Sequence, residues 1–330
     1  MNQVAPSLRR YSSGIVDDWN QFWFTPVDPA TLSAIRVCAG LMLLYTHLIW
    51  SLDLRAFFGP RGWVSVDVVN LMQQDGYAWS YFWWIGRMDS AALLWTIHIV
   101  ALVVFFLLTV GYFSRTMSVL AYLMAVSYAS RATGATFGLD KINCMLAMYL
   151  MIGPCGAEYS VDRRLANRRF AANSVPPRPS VGANVAVRMI QIHMCIVYLF
   201  SALGKLQGET WWDGTAVWMS VANLEYQSLD LTWLASWPKL VALLTHATVA
   251  FELFYCVLIW RPRWRPILLS VAISVHGGIA IALGMKTFGL VMLIGNMAFL
   301  SPRLVRAMID PVWRGRVGEG GAGRGMKEPA

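Results

Sequence analysis

One lysine in the second half of the chain has the surroundings that proton-transfer chemistry requires. Lys205 ends an apolar run and is followed at once by polar and aromatic residues, in the stretch YLFSALGKLQGETWWDG. A low-dielectric environment penalises the ammonium form of a lysine and favours the neutral amine, which can accept a proton from a substrate. A lysine at this position also fits a simple boundary charge where a helix leaves a membrane. Both interpretations stay open at this point.

The residues before Lys205 repeat at helical spacing. Five of them and Lys205 itself form one continuous and largely polar stripe at intervals of three or four: Arg188, Gln191, Cys195, Tyr198, Ala202 and Lys205. A second apolar segment repeats the pattern with Thr245, Thr248, Glu252 and Tyr255. We therefore expect two helices whose polar seams face each other. In the structural alternative, Arg188 and Lys205 extend to the membrane surfaces, and Glu252 pairs with an arginine such as Arg188 or Arg36.

The five histidines all lie in apolar segments, where polar groups usually face the interior of a helix bundle. On the predicted topology, one membrane face collects several polar side chains: His47, His98, His246, His276, Asn143 and Lys205. This face is the predicted place for a site. The histidines lack HxxH or HExxH spacing, so no metal site is predicted. The chain also lacks a Walker loop, a GxSxG elbow and a Rossmann fingerprint, which disfavours soluble nucleotide and acyl-transfer chemistry.

The composition indicates that these elements are membrane helices. Hydrophobic residues make up 57% of the 330 positions and charged residues 14%, with a mean hydropathy of +0.50. The predicted fold is an all-α integral membrane protein, a polytopic bundle of about eight transmembrane helices. The predicted spans are 32–50, 91–113, 117–130, 139–153, 185–203, 240–260, 267–283 and 288–300.

The basic residues predict the orientation of these spans. With the N-terminus in the cytoplasm, the inner segments carry 17 lysines and arginines and the outer segments carry 8. The positive-inside rule then predicts a multi-pass protein with both termini in the cytoplasm. The net charge is +9, but the lysines and arginines are distributed between the spans and do not form one basic surface. The predicted partner is therefore the lipid bilayer rather than nucleic acid. We expect a cytoplasmic N-terminal segment over 1–27, a transmembrane domain over 28–302, and a basic, disordered cytoplasmic tail over 303–330.

Several stretches together resemble the vitamin K-dependent gamma-carboxylase-like family, also called the horizontally transferred transmembrane (HTTM) family. They are DPATLSAIRVCAGLMLL, YSVDRRLANRR, IVYLFSALGKLQGETWWDG, HATVAFELF and HGGIAIALGMKTFGLVML. The resemblance implies a quinol-dependent lyase or oxidoreductase. Its cofactor would be a reduced quinone similar to vitamin K hydroquinone, with dioxygen and carbon dioxide as co-substrates.

The resemblance also implies roles for individual residues. Lys205 matches the base that deprotonates the quinol, and His276 matches a histidine near the reaction centre. The expected cofactor-binding residues are His246, Glu252, Asn143 and Tyr198, and the expected structural polar residues are Arg36, Arg188 and Gln191. This chain has LDKINC where the carboxylase has an asparagine-asparagine-histidine run, so Asp140 and Asn143 occupy that region.

Two further functions remain as alternatives. Relatives of the sporulation-delaying protein B type are accessory membrane proteins that assist maturation or export of a secreted peptide. In that case Lys205 is only a helix-end charge. A transporter is disfavoured because the two halves of the chain show no inverted repeat.

Overall fold

A computed structural model describes residues 4–73, 79–85, 90–169 and 177–318 of the chain. Within these ranges the regular elements are helices. Sixteen are α-helices: α1 Val4–Phe24, α2 Ala30–Trp50, α3 Leu54–Phe58, α4 Val66–Met72, α5 Phe82–Ile85, α6 Ala91–Val110, α7 Ser114–Arg131, α8 Gly138–Leu150, α9 Val161–Arg169, α10 Val181–Lys205, α11 Glu209–Trp212, α12 Ala216–Val221, α13 Pro238–Leu258, α14 Arg265–Ala282, α15 Lys286–Asn296 and α16 Pro302–Gly318. Short 3-10 turns cover Ser51–Asp53, Thr232–Ser236 and Met297–Phe299.

The eight predicted apolar segments lie in helices α2, α6, α7, α8, α10, α13, α14 and α15. Among the described residues, five helical segments are long and apolar enough to cross a membrane: α2 continued through α3, α6, α10, α13 and α14. A sixth is counted only if α15 and α16, which meet at 118°, form one bent span. The predicted count of about eight is therefore not confirmed. Helices α8 and α15 have 13 and 11 residues, so each is shorter than a bilayer core of about 30 Å at about 1.5 Å per residue.

The start of α2 shows how local sequence places a helix. Asp28 Oδ1 accepts a hydrogen bond of 2.9 Å from the Ala30 backbone N–H, which has no partner within the helix. Pro29 precedes the first helical residue, so the helix begins at Ala30, within two residues of the predicted position. The helix then supplies buried side chains to two large cores and to a small cluster with α16.

The larger core contains apolar side chains from α2, α8, α10, α13, α14 and α15. The second core lies on another face of α2, where Leu43 packs with residues of α6 and α7. Tyr198 and Tyr255 belong to the larger core, and Tyr128 belongs to the second. The stripe on α10 and the seam on α13 therefore meet inside the larger core.

The chain after Pro302 differs from the predicted disordered tail. Residues Pro302–Gly318 form α16, and Val305 is fully buried with Ala30, Ala34 and Tyr159. Composition suggested disorder because the segment is rich in charge and glycine, yet its apolar residues recur at helical spacing. Arg306 also pairs with Asp28, with 2.7 Å between Nε and Oδ2. The rest of the predicted tail, 319–330, lies outside the described residues.

Candidate functional site

The stripe on α10 faces the protein interior along most of its length. Gln191, Cys195, Tyr198 and Ala202 are buried, and Lys205 is half-buried at the last helical position. Helix α10 begins after Ser180, whose hydroxyl accepts a hydrogen bond from the Ala183 N–H. The opposing helix α13 buries Thr245, Glu252 and Tyr255. The rings of Tyr198 and Tyr255 lie 4.1 Å apart, so the two seams are in direct contact.

Lys205 turns back into the bundle. Its Nζ donates to Ser201 Oγ at 2.7 Å, one turn earlier on the same helix, and lies 2.8 Å from Glu252 Oε2. A boundary charge would extend outwards towards water, whereas this side chain contacts Ser201 on α10 and Glu252 on α13. The side chain of Lys205 is 21% exposed and that of Glu252 is 9% exposed. The ion pair is thus largely shielded from solvent, with Lys205 as its more accessible member.

The partner of Glu252 corrects the structural alternative. In that alternative Glu252 pairs with an arginine such as Arg188 or Arg36, and in the structure it pairs with Lys205 instead. Arg188 lies 4.3 Å from the centre of the Phe22 ring and donates to Gln191 Oε1 at 3.0 Å. Arg36 is fully buried and donates to backbone carbonyls. The pairing depends on which side chains of neighbouring helices lie at the same height in the bundle. The spacing of residues along one helix does not give this information.

A second set of polar side chains is hydrogen-bonded around Tyr198. His276 on α14 is within hydrogen-bond distance of Tyr198, with 2.8 Å between Nε2 and the hydroxyl oxygen. Asn296, the last residue of α15, donates to the same hydroxyl at 2.9 Å, and Tyr255 donates to Asn296 Oδ1 at 2.5 Å. The ion pair and this chain share two helices, since Lys205 and Tyr198 lie on α10 and Glu252 and Tyr255 lie on α13. Four helices, α10, α13, α14 and α15, therefore contribute to one cluster.

Residues 24–303 match the model of the HTTM domain family, which is most of the chain. The chain belongs to the HTTM family. No curated protein and no solved structure matches it. The apolar helices and the family together fit an integral membrane protein. The match does not extend to the finer assignment as a vitamin K-dependent carboxylase.

Two of the expected cofactor-binding residues of the HTTM domain lie apart from the cluster. His246 is exposed on α13, and its Nε2 is 3.3 Å from the Trp212 carbonyl oxygen. Asn143 is buried on α8, and its Oδ1 has no hydrogen-bond partner among the described residues. Nearby on α8, Asp140 accepts a hydrogen bond from the Phe137 N–H and so caps the start of the helix. The structure therefore pairs Lys205 with Glu252 and Tyr198 with His276, and it leaves His246 and Asn143 outside the hydrogen bonds of both pairs.

The expected structural residues connect other parts of the HTTM domain. Arg36 donates to the carbonyls of Leu108 and Tyr159, at 3.1 and 2.6 Å, and so links α2 to the end of α6 and to the segment before α9. Gln191 donates to the Ala298 carbonyl at 2.7 Å. In each contact, the guanidinium or the amide donates to a backbone carbonyl oxygen of another segment.

The histidines of the HTTM domain do not form one site. His98 contacts Tyr128 through Nδ1 at 2.7 Å and Ser51 through Nε2 at 2.8 Å, within the second core. His47 packs against the Tyr128 ring there, at 4.6 Å between ring centres. Among the described residues, no group of three or more His, Cys, Asp or Glu side chains could hold a metal ion.

Two members of the cluster were not among the predicted site residues of this HTTM chain. Asn296 is a single amide within an apolar run, and Ser201 stands one turn before Lys205. Ser201 had a local signal, because its spacing of four from Lys205 places both on one helical face. Asn296 had the signal that a polar side chain in an apolar span is costly and needs partners, but its partners lie on other helices.

Proposed function

We propose that this HTTM protein is a membrane enzyme that oxidises a reduced lipid quinone, with Lys205 and Glu252 acting together as the proton acceptor. The observation that supports this most directly is the position of Lys205 Nζ, which is turned inwards to Ser201 and Glu252 rather than outwards to water. A helix-end charge would extend outwards to water. A base requires the inward orientation, because the amine must meet its substrate away from bulk water.

The ion pair accepts one proton as a unit. Transfer of a proton from Lys205 Nζ to a Glu252 oxygen, over a contact of 2.8–3.0 Å, gives a neutral amine beside a carboxylic acid. The neutral amine then takes a proton from an acidic hydroxyl placed near Nζ. Trp211, whose ring centre is 5.2 Å from Nζ, covers the amine from the outer segment.

A reduced quinone fits the chemistry of these residues. It would supply an acidic phenolic hydroxyl and two electrons within an apolar ring. Lys205 is the accessible member of the pair, and Phe251 and Phe288 provide apolar surface next to Tyr198 and His276. Tyr198 and His276 hold positions at which they can orient a polar group of the ring. Dioxygen would accept the two electrons of the quinol. The carboxylase-like form of the proposal adds carbon dioxide as a co-substrate, and His246 and Asn143 as further binding residues.

The decisive experiment compares lysine variants in lipid nanodiscs with a supplied quinol. Lys205→Ala is expected to abolish quinol oxidation above the uncatalysed rate while the protein stays folded and inserted. Lys239→Ala is the matched control, because Lys239 is an exposed lysine at the start of α13. Unchanged oxidation in Lys205→Ala would end the proposal. Mass spectrometry of protein purified in native lipid identifies any bound quinone independently.

A second function has one observation in its favour. The Lys205–Glu252 pair joins α10 to α13, so it is also suited to a purely structural link in an accessory protein for a secreted peptide. Lys205→Arg separates the two functions. Arginine keeps the charge and the pairing but cannot become a neutral base at physiological pH. An accessory function would persist in this variant, whereas quinol oxidation would be lost.

A further inference from the structure

The hydrogen bonds around Asn296 have a defined direction. Its Nδ2 carries two hydrogens and lies 2.8 Å from the Met292 carbonyl oxygen and 2.9 Å from the Tyr198 hydroxyl oxygen. A backbone carbonyl only accepts, so it identifies the amide nitrogen and its orientation. The amide oxygen then faces the Tyr255 hydroxyl, which donates to it. Asn296 is therefore a donor to Tyr198.

Because Asn296 donates to Tyr198, the hydroxyl hydrogen of Tyr198 must find another acceptor. The Tyr198 hydroxyl accepts from Asn296, and its own hydrogen has one remaining partner, His276 Nε2 at 2.8 Å. If Nε2 donated instead, the hydrogen of a hydroxyl on a side chain only 1% exposed would have no acceptor. An unsatisfied buried polar group costs about 1–3 kcal/mol. The favoured arrangement has Tyr198 donating and His276 Nε2 accepting.

The protonation of His276 Nδ1 follows from that of Nε2. A neutral imidazole carries one hydrogen, so an accepting Nε2 places that hydrogen on Nδ1. His276 is 3% exposed, and its Nδ1 has no hydrogen-bond partner among the described residues. The cluster thus contains a buried N–H donor without an acceptor. Such a donor is costly unless a ligand satisfies it.

We propose that Asn296 is a positioning residue which, through Tyr198, holds His276 as an Nδ1–H donor, and that this donor binds an oxygen atom of the ligand. The chemical class is a ring oxygen that accepts a hydrogen bond, such as a quinone carbonyl or a phenolate. The identity of the ligand rests on the proposed function, whereas the tautomer of His276 does not. Lys205 and His276 would then contact the same ligand with opposite tasks, the amine removing a proton and the imidazole donating a hydrogen bond.

Solid-state NMR of protein labelled with ¹⁵N-histidine in lipid bilayers tests the tautomer. The signals of His276 are assigned by their loss in His276→Gln. We expect a protonated Nδ1 and an unprotonated Nε2 in the ligand-free protein. Asn296→Asp replaces the donating amide with a carboxylate that only accepts, so Tyr198 should donate to it and the hydrogen of His276 should move to Nε2.

Two further variants keep the test decisive if Asn296→Asp fails to fold. Tyr198→Phe removes the donor to Nε2, so the Nε2 signal should lose its hydrogen-bond shift. Tyr149→Phe is the matched control, since Tyr149 contacts the other histidine of this region, His193, through Nδ1 at 2.9 Å. It should leave the His276 signals unchanged. A wild-type His276 protonated at Nε2, or a folded Asn296→Asp protein with an unchanged tautomer, overturns the positioning role.

The ligand is tested separately with a short-chain 1,4-naphthoquinone. Its addition should shift the Nδ1–H signal of His276 in the wild type and should cause no shift at His193. A protein with the expected tautomer but no response to the quinone would refute the oxygen-binding role and weaken the proposed function, while the positioning by Asn296 would stand. If Lys205→Ala loses quinol oxidation but wild-type His276 is protonated at Nε2, the proposed function stands and only the positioning role of Asn296 is refuted.

Discussion

Lys205 and Glu252 differ in how well water could solvate each of them if the other were removed. Lys205 is 21% exposed and Glu252 is 9% exposed, so a lone Glu252 carboxylate would be the worse solvated group. Exposed ion pairs contribute about 0–1 kcal/mol, whereas breaking a fully buried pair costs about 3–5 kcal/mol. The partial exposure of Lys205 places this pair between the two limits.

Removing each partner in turn should therefore have unequal effects. Lys205→Met should lower the thermal unfolding midpoint more than Glu252→Gln does, because it leaves the buried carboxylate without a partner. The double variant should recover part of the loss. Thermal unfolding in one lipid composition measures all three proteins. Additive losses in the double variant would show that the pair does not contribute to stability as a unit.

The same partial exposure bears on function at the scale of single residues. A fully buried pair would be closed to substrate, and a fully exposed one would exchange protons with water. Lys205 has contacts with Ser201, Glu252 and the Trp211 ring, and it still keeps an accessible surface. This combination is what a base requires if it acts on an apolar substrate at the edge of a membrane.

At the scale of helices, the end of α6 depends on one glycine. Gly111 has a φ of +74°, in the left-handed region, and its N–H donates to the Leu107 carbonyl and so terminates the helix. A Cβ at this position would overlap Arg36 Nη1 and lie 2.5 Å from Ser160 Cβ. Arg36 is the buried guanidinium that joins α2 to α6.

Gly111→Ala should therefore strongly destabilise the protein. It combines a disfavoured backbone conformation with displacement of a buried charge, which together exceed about 2 kcal/mol. Gly278→Ala is the matched control, because a Cβ there meets nothing within 4 Å and alanine favours a helix. The thermal midpoint should fall for the first variant and stay or rise for the second. Equal midpoints for both variants would contradict the role given to Arg36.

Helix α16 is held to the start of α2 by charged groups outside the spans. Arg306 pairs with Asp28 and with Glu158, at 2.7 and 3.1 Å. Burial raises the pKa of Asp28, but hydrogen bonds from Arg306 and Ala30 outweigh it, so the pKa lies below 3.8. A lowered folded-state pKa means that the contribution to stability is present above the unfolded pKa and is lost as the pH falls through the folded value.

The attachment of α16 should accordingly weaken in acid. The thermal midpoint of Arg306→Ala should lie below that of the wild type at neutral pH, and the difference should shrink as the pH falls below about 4. Arg303→Ala provides the control, since Arg303 is an exposed arginine on the same helix. A difference between Arg306→Ala and the wild type that does not depend on pH would show that Asp28 is not the group responsible.

For the whole molecule, sequence predicted the helices better than their contacts. Apolar segments of helical length can be recognised in the sequence, because a helix buried in lipid or in a core needs a continuous or periodic run of apolar residues. The seam residues on α10 and α13 were recognised by spacing for the same reason. The pairing of Glu252 with Lys205 and the role of Asn296 were missed, because both depend on which helices meet and at what depth. Helix α16 was missed because its stability comes from buried contacts with α2 rather than from its composition.

The topology of the whole molecule gives the last prediction. Helix α1 directly precedes α2, and α16 packs against Ala30 and Ala34 at the start of α2, so both terminal helices lie at one end of it. Together with the excess of basic residues in the inner segments, this supports an even number of crossings with both termini in the cytoplasm.

In a cysteine-free background, a membrane-impermeant maleimide added to intact cells should label Ser236→Cys in the outer segment and spare Ser13→Cys and Ser301→Cys. Permeabilised cells should show labelling of all three. Labelling of only one terminal position in intact cells would indicate an odd number of crossings, and labelling of both would invert the proposed orientation.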